Sequence, residues 1–162
     1  MAPERRPVVC AMRGGEASRR VQEEAVALAR REARDLVFLY VVDVDALERG
    51  SPAGGRVLEE ALRQELRWLG AALLRIARRR AARDGVEARI ALREGVVSEE
   101  ILACLSAQDA GCLLLGAPRG TTANVFGDDA IERFAARIAE EAGTEVRIAR
   151  PETPGAEAVA PG

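Results

Sequence analysis

The sequence predicts a doubly wound α/β domain: a five-stranded parallel sheet in the order 3-2-1-4-5 with helices on both faces. Two observations carry that reading. Five short apolar runs alternate with four long amphipathic stretches, and strands joined by helices run parallel. Three of the runs are solidly apolar while two alternate with charge, which separates strands covered on both faces from strands at an edge.

In chain order, Val8–Met12 is the first solid run, followed by an amphipathic stretch over Glu16 to Arg34. Leu36 to Val42 is the second solid run, and Arg56 to Asp84 the second and longest helix. Val86 to Leu92 alternates through Glu87 and Arg89, and leads to a helix over Ser98 to Gln108. Cys112 to Leu115 is solid again, the fourth helix covers Asp129 to Ala142, and Val146 to Ala149 alternates through Arg147. The solid runs belong in the centre and the alternating ones at the edges, and right-handed crossovers then give the order 3-2-1-4-5. In the long helix Leu58, Leu62, Leu66, Leu69, Leu73 and Ile76 form one stripe expected to pack on the sheet. Leu74 lies off it and Trp68 at its margin, so both are expected to be exposed or to face another subunit. Arg75, Arg78, Arg79, Arg80 and Arg83 at the end of this helix are read as cations placed near the negative end of its dipole. Asp43 to Gly55 and the tail Pro151 to Gly162 read as flexible, giving a domain over 1–150 and a tail over 151–162.

Composition removes several functions. The 162 residues suit one domain, and the 24 basic side chains are all Arg, with no Lys and no His. That excludes the P-loop lysine, a Schiff base and every imidazole-dependent triad or zinc site. A net charge of −2 with one Trp, one Tyr and three Phe argues against nucleic acid as a partner. No stretch reaches the ~20 apolar residues of a membrane span, and the first residues lack a signal peptide's apolar run, so a cytoplasmic protein is expected. Cys10, Cys104 and Cys112 stand singly among apolar residues without CxxC spacing, the pattern of buried reduced thiols, and no metal-ligand set is visible.

In the order 3-2-1-4-5 the chain reverses direction between strands 1 and 4, and the crevice outside their carboxyl ends is the expected ligand site. Two glycine-bearing turns fall there. One runs through Met12, Arg13, Gly14 and Gly15; the other through Gly116, Arg119, Gly120, Thr121 and Thr122 to Gly127, Asp128 and Asp129. Such glycines let a backbone approach phosphate closely, and a helix starting near Asp128 offers free N–H groups. Asp128 and Asp129 are read as caps of that helix.

Taken together, Val8 to Gly15, Leu39-Tyr40-Val41-Val42-Asp43, Leu58-Glu59-Glu60-Ala61-Leu62, Arg93 to Leu102 and Leu113-Leu114-Leu115-Gly116 resemble the universal stress protein family over residues 7–150. The resemblance implies a small regulatory or protective homodimer in place of a defined catalyst, with a regulatory protein partner. It also implies ATP as a cofactor, held by an Asp after strand 1 and by the signature G-x-x-G, nine residues, then G with Ser or Thr. Here Arg13 holds the Asp position, Gly116 matches the first glycine, Arg119 holds the second with Gly120 one place late, and Gly127 arrives early, followed by Asp128. Two carboxylates near a triphosphate are unfavourable, each approach at 4 Å costing ~1 kcal/mol in water and ~4 kcal/mol at an effective dielectric of 20. ATP binding is therefore expected to be weak or absent. In the alternative, a nucleotide switch, Ala11, Met12, Arg13, Val41, Gly116, Arg119, Gly120, Thr121, Thr122, Gly127 and Asp128 line the site, with Val41 against the base. A second alternative is a nucleotide α-hydrolase-type enzyme, whose S-G-G-x-D-S loop is matched only by the paired glycines and Ser18 of Arg13 to Ser18. The resemblance also places the dimer contact on the last strand, at Val146, Arg147 and Ile148.

Overall fold

The computed structural model describes residues 5–12, 16–50, 55–116 and 130–149. The described elements are β1 (Val8–Met12), α1 (Glu16–Glu32), β2 (Leu36–Asp43), α2 (Val44–Gly50), α3 (Gly55–Arg83), β3 (Ala88–Gly95), α4 (Val97–Gln108), β4 (Cys112–Gly116), α5 (Ala130–Ala142) and β5 (Glu145–Ala149). They build one sheet in the order β3-β2-β1-β4-β5, with every neighbouring pair parallel. The order expected from solid and alternating runs is the order observed. The tail beyond Ala149 lies outside the described residues.

Strand parity divides the core into two layers. Val8, Cys10, Met12, Leu36, Phe38, Cys112 and Leu114 face α1 and α3, packing with Val21, Ala25, Leu28, Leu74 and Ala77. Val9, Val37, Leu39, Leu113 and Leu115 face α4 and α5, against Ile101, Cys104, Leu105 and Ile138. Because the three central strands are covered on both sides, each must be apolar at consecutive positions. At the amino ends of the strands, polar ties close the sheet. Val8 N–H donates to the Asp35 carbonyl at 2.8 Å and Gly111 N–H to the Pro7 carbonyl at 2.9 Å. Arg34 Nε donates to the Arg6 carbonyl at 2.7 Å, and Arg6 Nη2 pairs with Asp109 Oδ1 at 3.0 Å.

Three expectations need correction. The Leu58-to-Ile76 stripe of α3 is only in part the core face: Leu73 packs against the core and Leu66 is half-buried, but Leu58, Leu62, Leu69 and Ile76 are exposed, while the buried line is Gly70, Leu74, Ala77 and Ala81. Leu74, expected outside, is 1% exposed, whereas Trp68 is 69% exposed. The reason is the bulk of the sheet beneath. A Cβ on Gly70 would stand 2.5 Å from Tyr40 Cδ1, so large side chains on β2 leave room for mostly small ones on the facing helix. The third strand begins at Ala88 and not at Val86, because Val86 N–H donates to the Ala81 carbonyl at 2.9 Å and so closes the end of α3. Much of the supposedly flexible Asp43-to-Gly55 segment is α2, started by Asp43, whose Oδ1 accepts the Ala46 N–H at 3.1 Å, and anchored by buried Leu47.

Candidate functional site at the carboxyl ends of the strands

β1 and β4 are hydrogen-bonded neighbours whose following helices, α1 and α5, pack on opposite faces of the sheet, so their carboxyl ends flank the topological switch point. Four of the residues expected to line this crevice are described: Ala11, Met12, Val41 and Gly116. The structure brings them together at the ends of three adjacent strands. Ala11 pairs with Leu39 on one side and Leu115 on the other, so Gly116 is level with Met12, and Val41 stands one residue beyond Tyr40, the partner of Met12.

Their side chains do not share a face. Ala11 and Val41 pack on the α4 and α5 layer, whereas Met12 turns to the α1 and α3 layer and is buried. Met12 therefore offers the crevice its backbone, and its thioether belongs to the core. Arg13, Arg119, Gly120, Thr121, Thr122, Gly127 and Asp128 lie outside the described residues, as does the capping assigned to Asp128 and Asp129.

Toward β3, the rim carries ion pairs that the sequence reading did not single out. By strand parity Glu94 shares the face of Ala88 and Ile90, which brings it to α3. Its Oε1 lies 3.0 Å from Arg63 Nε and its Oε2 2.5 Å from Arg67 Nη2. The Arg63 contact is a charge pair without hydrogen-bond geometry, while Arg67 Nε donates to Glu94 Oε2 at 2.7 Å. Arg93, on the other face, donates through Nε to Glu100 Oε2 of α4 at 2.7 Å. Between them Gly95 adopts φ +151°, and a Cβ there would stand 2.8 Å from Glu100 Oε1, so this turn requires glycine. The run Arg93-Glu94-Gly95 at a strand end was the available signal. With Asp43 engaged as a helix cap, the carboxylates at the ends of β2 and β3 are held in structural roles.

Burial pushes the thiols of Cys10, Cys104 and Cys112 up from their ordinary range, leaving them protonated and inert. All three are free and buried, as the sequence led us to expect. Among the described residues, no group of three or more His, Cys, Asp or Glu could hold a metal ion, and no helix is long and apolar enough to cross a membrane.

Sheet order and crevice together define a doubly wound α/β protein with its crevice at the topological switch point. The chain matches the model of the universal stress protein family over residues 4–128 and belongs to that family. Its fold is similar to that of a universal stress protein family member from Burkholderia pseudomallei, at 20% identity and TM-score 0.68, covering 90% of this chain and 96% of that one. Similar too is the universal stress protein UspA from Lactobacillus plantarum, at 15% identity and TM-score 0.71, covering 91% and 99%. A third is the universal stress protein from Archaeoglobus fulgidus in complex with dAMP, at 17% identity and TM-score 0.52, covering 88% and 96%. Among curated proteins, none matches.

Proposed function

We propose that this chain is a non-catalytic stress-response or regulatory protein that works as a homodimer in the cytoplasm and whose crevice binds ATP weakly or not at all. The observation that carries this reading is Arg13 directly after β1, where nucleotide-binding members of the family carry an Asp. Part of the site still fits an adenine ring. Ala11 and Val41 are small apolar groups on one face at the ends of β1 and β2, and the A. fulgidus relative is seen with dAMP. The phosphate half does not fit, because the acidic Asp128 follows Gly127 where a hydroxyl residue belongs. Isothermal calorimetry with Mg-ATP and with dAMP tests this. We expect no saturable heat with Mg-ATP in the micromolar range, and a tight stoichiometric isotherm overturns the reading in favour of a nucleotide switch.

The dimer contact assigned to β5 is supported by its position. Among the described residues it is an edge strand paired with β4 alone, and an edge is a template for a further strand. Arg147 Nε lies 2.8 Å from Glu145 Oε1 within the strand, so an antiparallel two-fold mate needs only to exchange these partners to avoid facing arginines. Ile148→Pro removes a ladder donor at this edge and should abolish association through β5, lowering the assembly mass in sedimentation relative to the parent. A wild-type protein that sediments as a monomer overturns the dimer.

A further inference from the structure

We propose that the outer flank of α3 is a helix-pairing surface whose occupant is α3 of a second copy of this chain, laid antiparallel about a two-fold axis near Ala72. Leu62, Leu69 and Ile76 recur every seven residues, and Glu65, Ala72 and Arg79 follow each of them by three. This is the seven-residue spacing of a helix-pairing seam, apolar throughout at its first position and carrying Glu65, the small Ala72 and Arg79 at its second. Among the described residues its apolar side chains remain open. Leu62, Leu69 and Ile76 are 38%, 42% and 43% exposed, and Leu58, a turn before, 47%. The buried line through Gly70, Leu74, Ala77 and Ala81 lies roughly 100° further round the helix, so seam and core face are separate surfaces. From Leu58 to Ile76 the strip is ~27 Å long and one side chain wide, the footprint of a helix and not of a small ligand.

Charge selects the occupant and its direction. Arg79 and Arg83 sit at the carboxyl end of the seam and Glu65 toward its amino end, and none of the three has an ion-pair partner among the described residues of its own chain. Parallel pairing of two copies would set Arg79 against Arg79. Antiparallel pairing about Ala72 sets Glu65 of each copy beside Arg79 of the other and Leu69 beside Ile76, with the small Ala72 at the crossing. A two-fold makes this contact self-complementary. α3 packs over β2 and β3, at the opposite end of the sheet from β5, so this surface is independent of the strand edge discussed above.

The test uses the full chain carrying Ile148→Pro, so that association through β5 is removed. Sedimentation over a concentration series should still show a dimer. Glu65→Arg and Arg79→Glu should each weaken it by about tenfold or more, and the double variant should restore it. A monomer in this background, single reversals without effect, or a double variant that fails to restore association overturns the proposal. If Ile148→Pro does not fold, cross-linking in the wild-type background decides. Ala72→Cys should give a disulfide-linked dimer by intact mass under mild oxidation while exposed Glu60→Cys, roughly 120° round the helix, stays single. Equal yields, or none for Ala72→Cys, overturn the proposal. These outcomes leave the nucleotide calorimetry untouched, so the two proposals fail separately.

Discussion

Gly70→Ala tests the close approach of α3 to the sheet. The added methyl would stand 2.5 Å from Cδ1 and 2.8 Å from Cε1 of Tyr40, and 3.0 Å from Leu92 Cδ1. The ring edge cannot yield cheaply, since Tyr40 projects from a strand paired on both sides and packs against the core. Two effects compete. Alanine is the better helix former by ~1 kcal/mol, while overpacking costs ~1–3 kcal/mol. A contact well inside van der Waals distance belongs at the upper end of that range, so the net loss should be ~1–2 kcal/mol. At ~2–4 °C per kcal/mol for a chain of this size, Tm should fall by roughly 2–8 °C. Urea unfolding followed by circular dichroism measures it, and Tyr40→Leu supplies the control: the double variant should recover ~1 kcal/mol relative to the sum of the singles. A Gly70→Ala protein as stable as the parent, or more so, refutes the small-residue contact and with it the account of why the leucine stripe faces outward.

The thiols give a chemical check. Native protein should resist alkylation at neutral pH, and denatured, unreduced protein should take up three labels, whereas a single label would reveal a bridge. Their burial also sets a pH dependence. Folding holds the Cys10 proton more tightly than the unfolded chain does, so this contribution is intact below the ordinary thiol value of 9.0 and is lost as pH rises above it. The slope should approach ~1.4 kcal/mol per pH unit, and Cys10→Ala should make urea midpoints fall less between about pH 8 and pH 10; an unchanged fall removes Cys10 as the cause. Glu94→Gln breaks the charge contact with Arg63 and weakens that with Arg67 at a partly exposed site, and should cost ~0.5–1.5 kcal/mol, less in about 1 M salt. A loss indifferent to salt would assign the effect to packing.

Strand order was legible because burial on both faces leaves no polar position: Leu36 to Val42 reads as central, and Glu87-Ala88-Arg89 as an edge. The same property hid the parity of the site. In Val8-Val9-Cys10-Ala11-Met12 nothing in the sequence says which side chains face which layer, so Met12 and Ala11 looked equally available to the crevice, and only the packing separates them. Periodicity failed on α3 because it weights large residues, whereas the contact with the sheet is made mostly by small ones under Tyr40. α2 was masked by the glycines and proline beyond it, although Asp43 three residues before Ala46 is a capping signal. The Glu94 contacts depend on Arg63 and Arg67, 31 and 27 residues away, and no local pattern announces such a meeting.

The place of β1 in the sheet also governs how the chain emerges from the ribosome. β1, β2 and β3 are contiguous in the sheet and complete by Gly95, so this half can assemble as soon as it has been made. β4, the other neighbour of β1, begins only at Cys112. At ~5–20 residues per second, the interval is on the order of a second or more. During it the strand Val8–Met12, which carries no charge or proline to discourage strangers, has one row of amides and carbonyls unpaired. Nascent chains on a crowded polysome would meet through that row, so the yield of soluble protein should depend on translation speed between Gly95 and Cys112 more than on the stability of the finished fold.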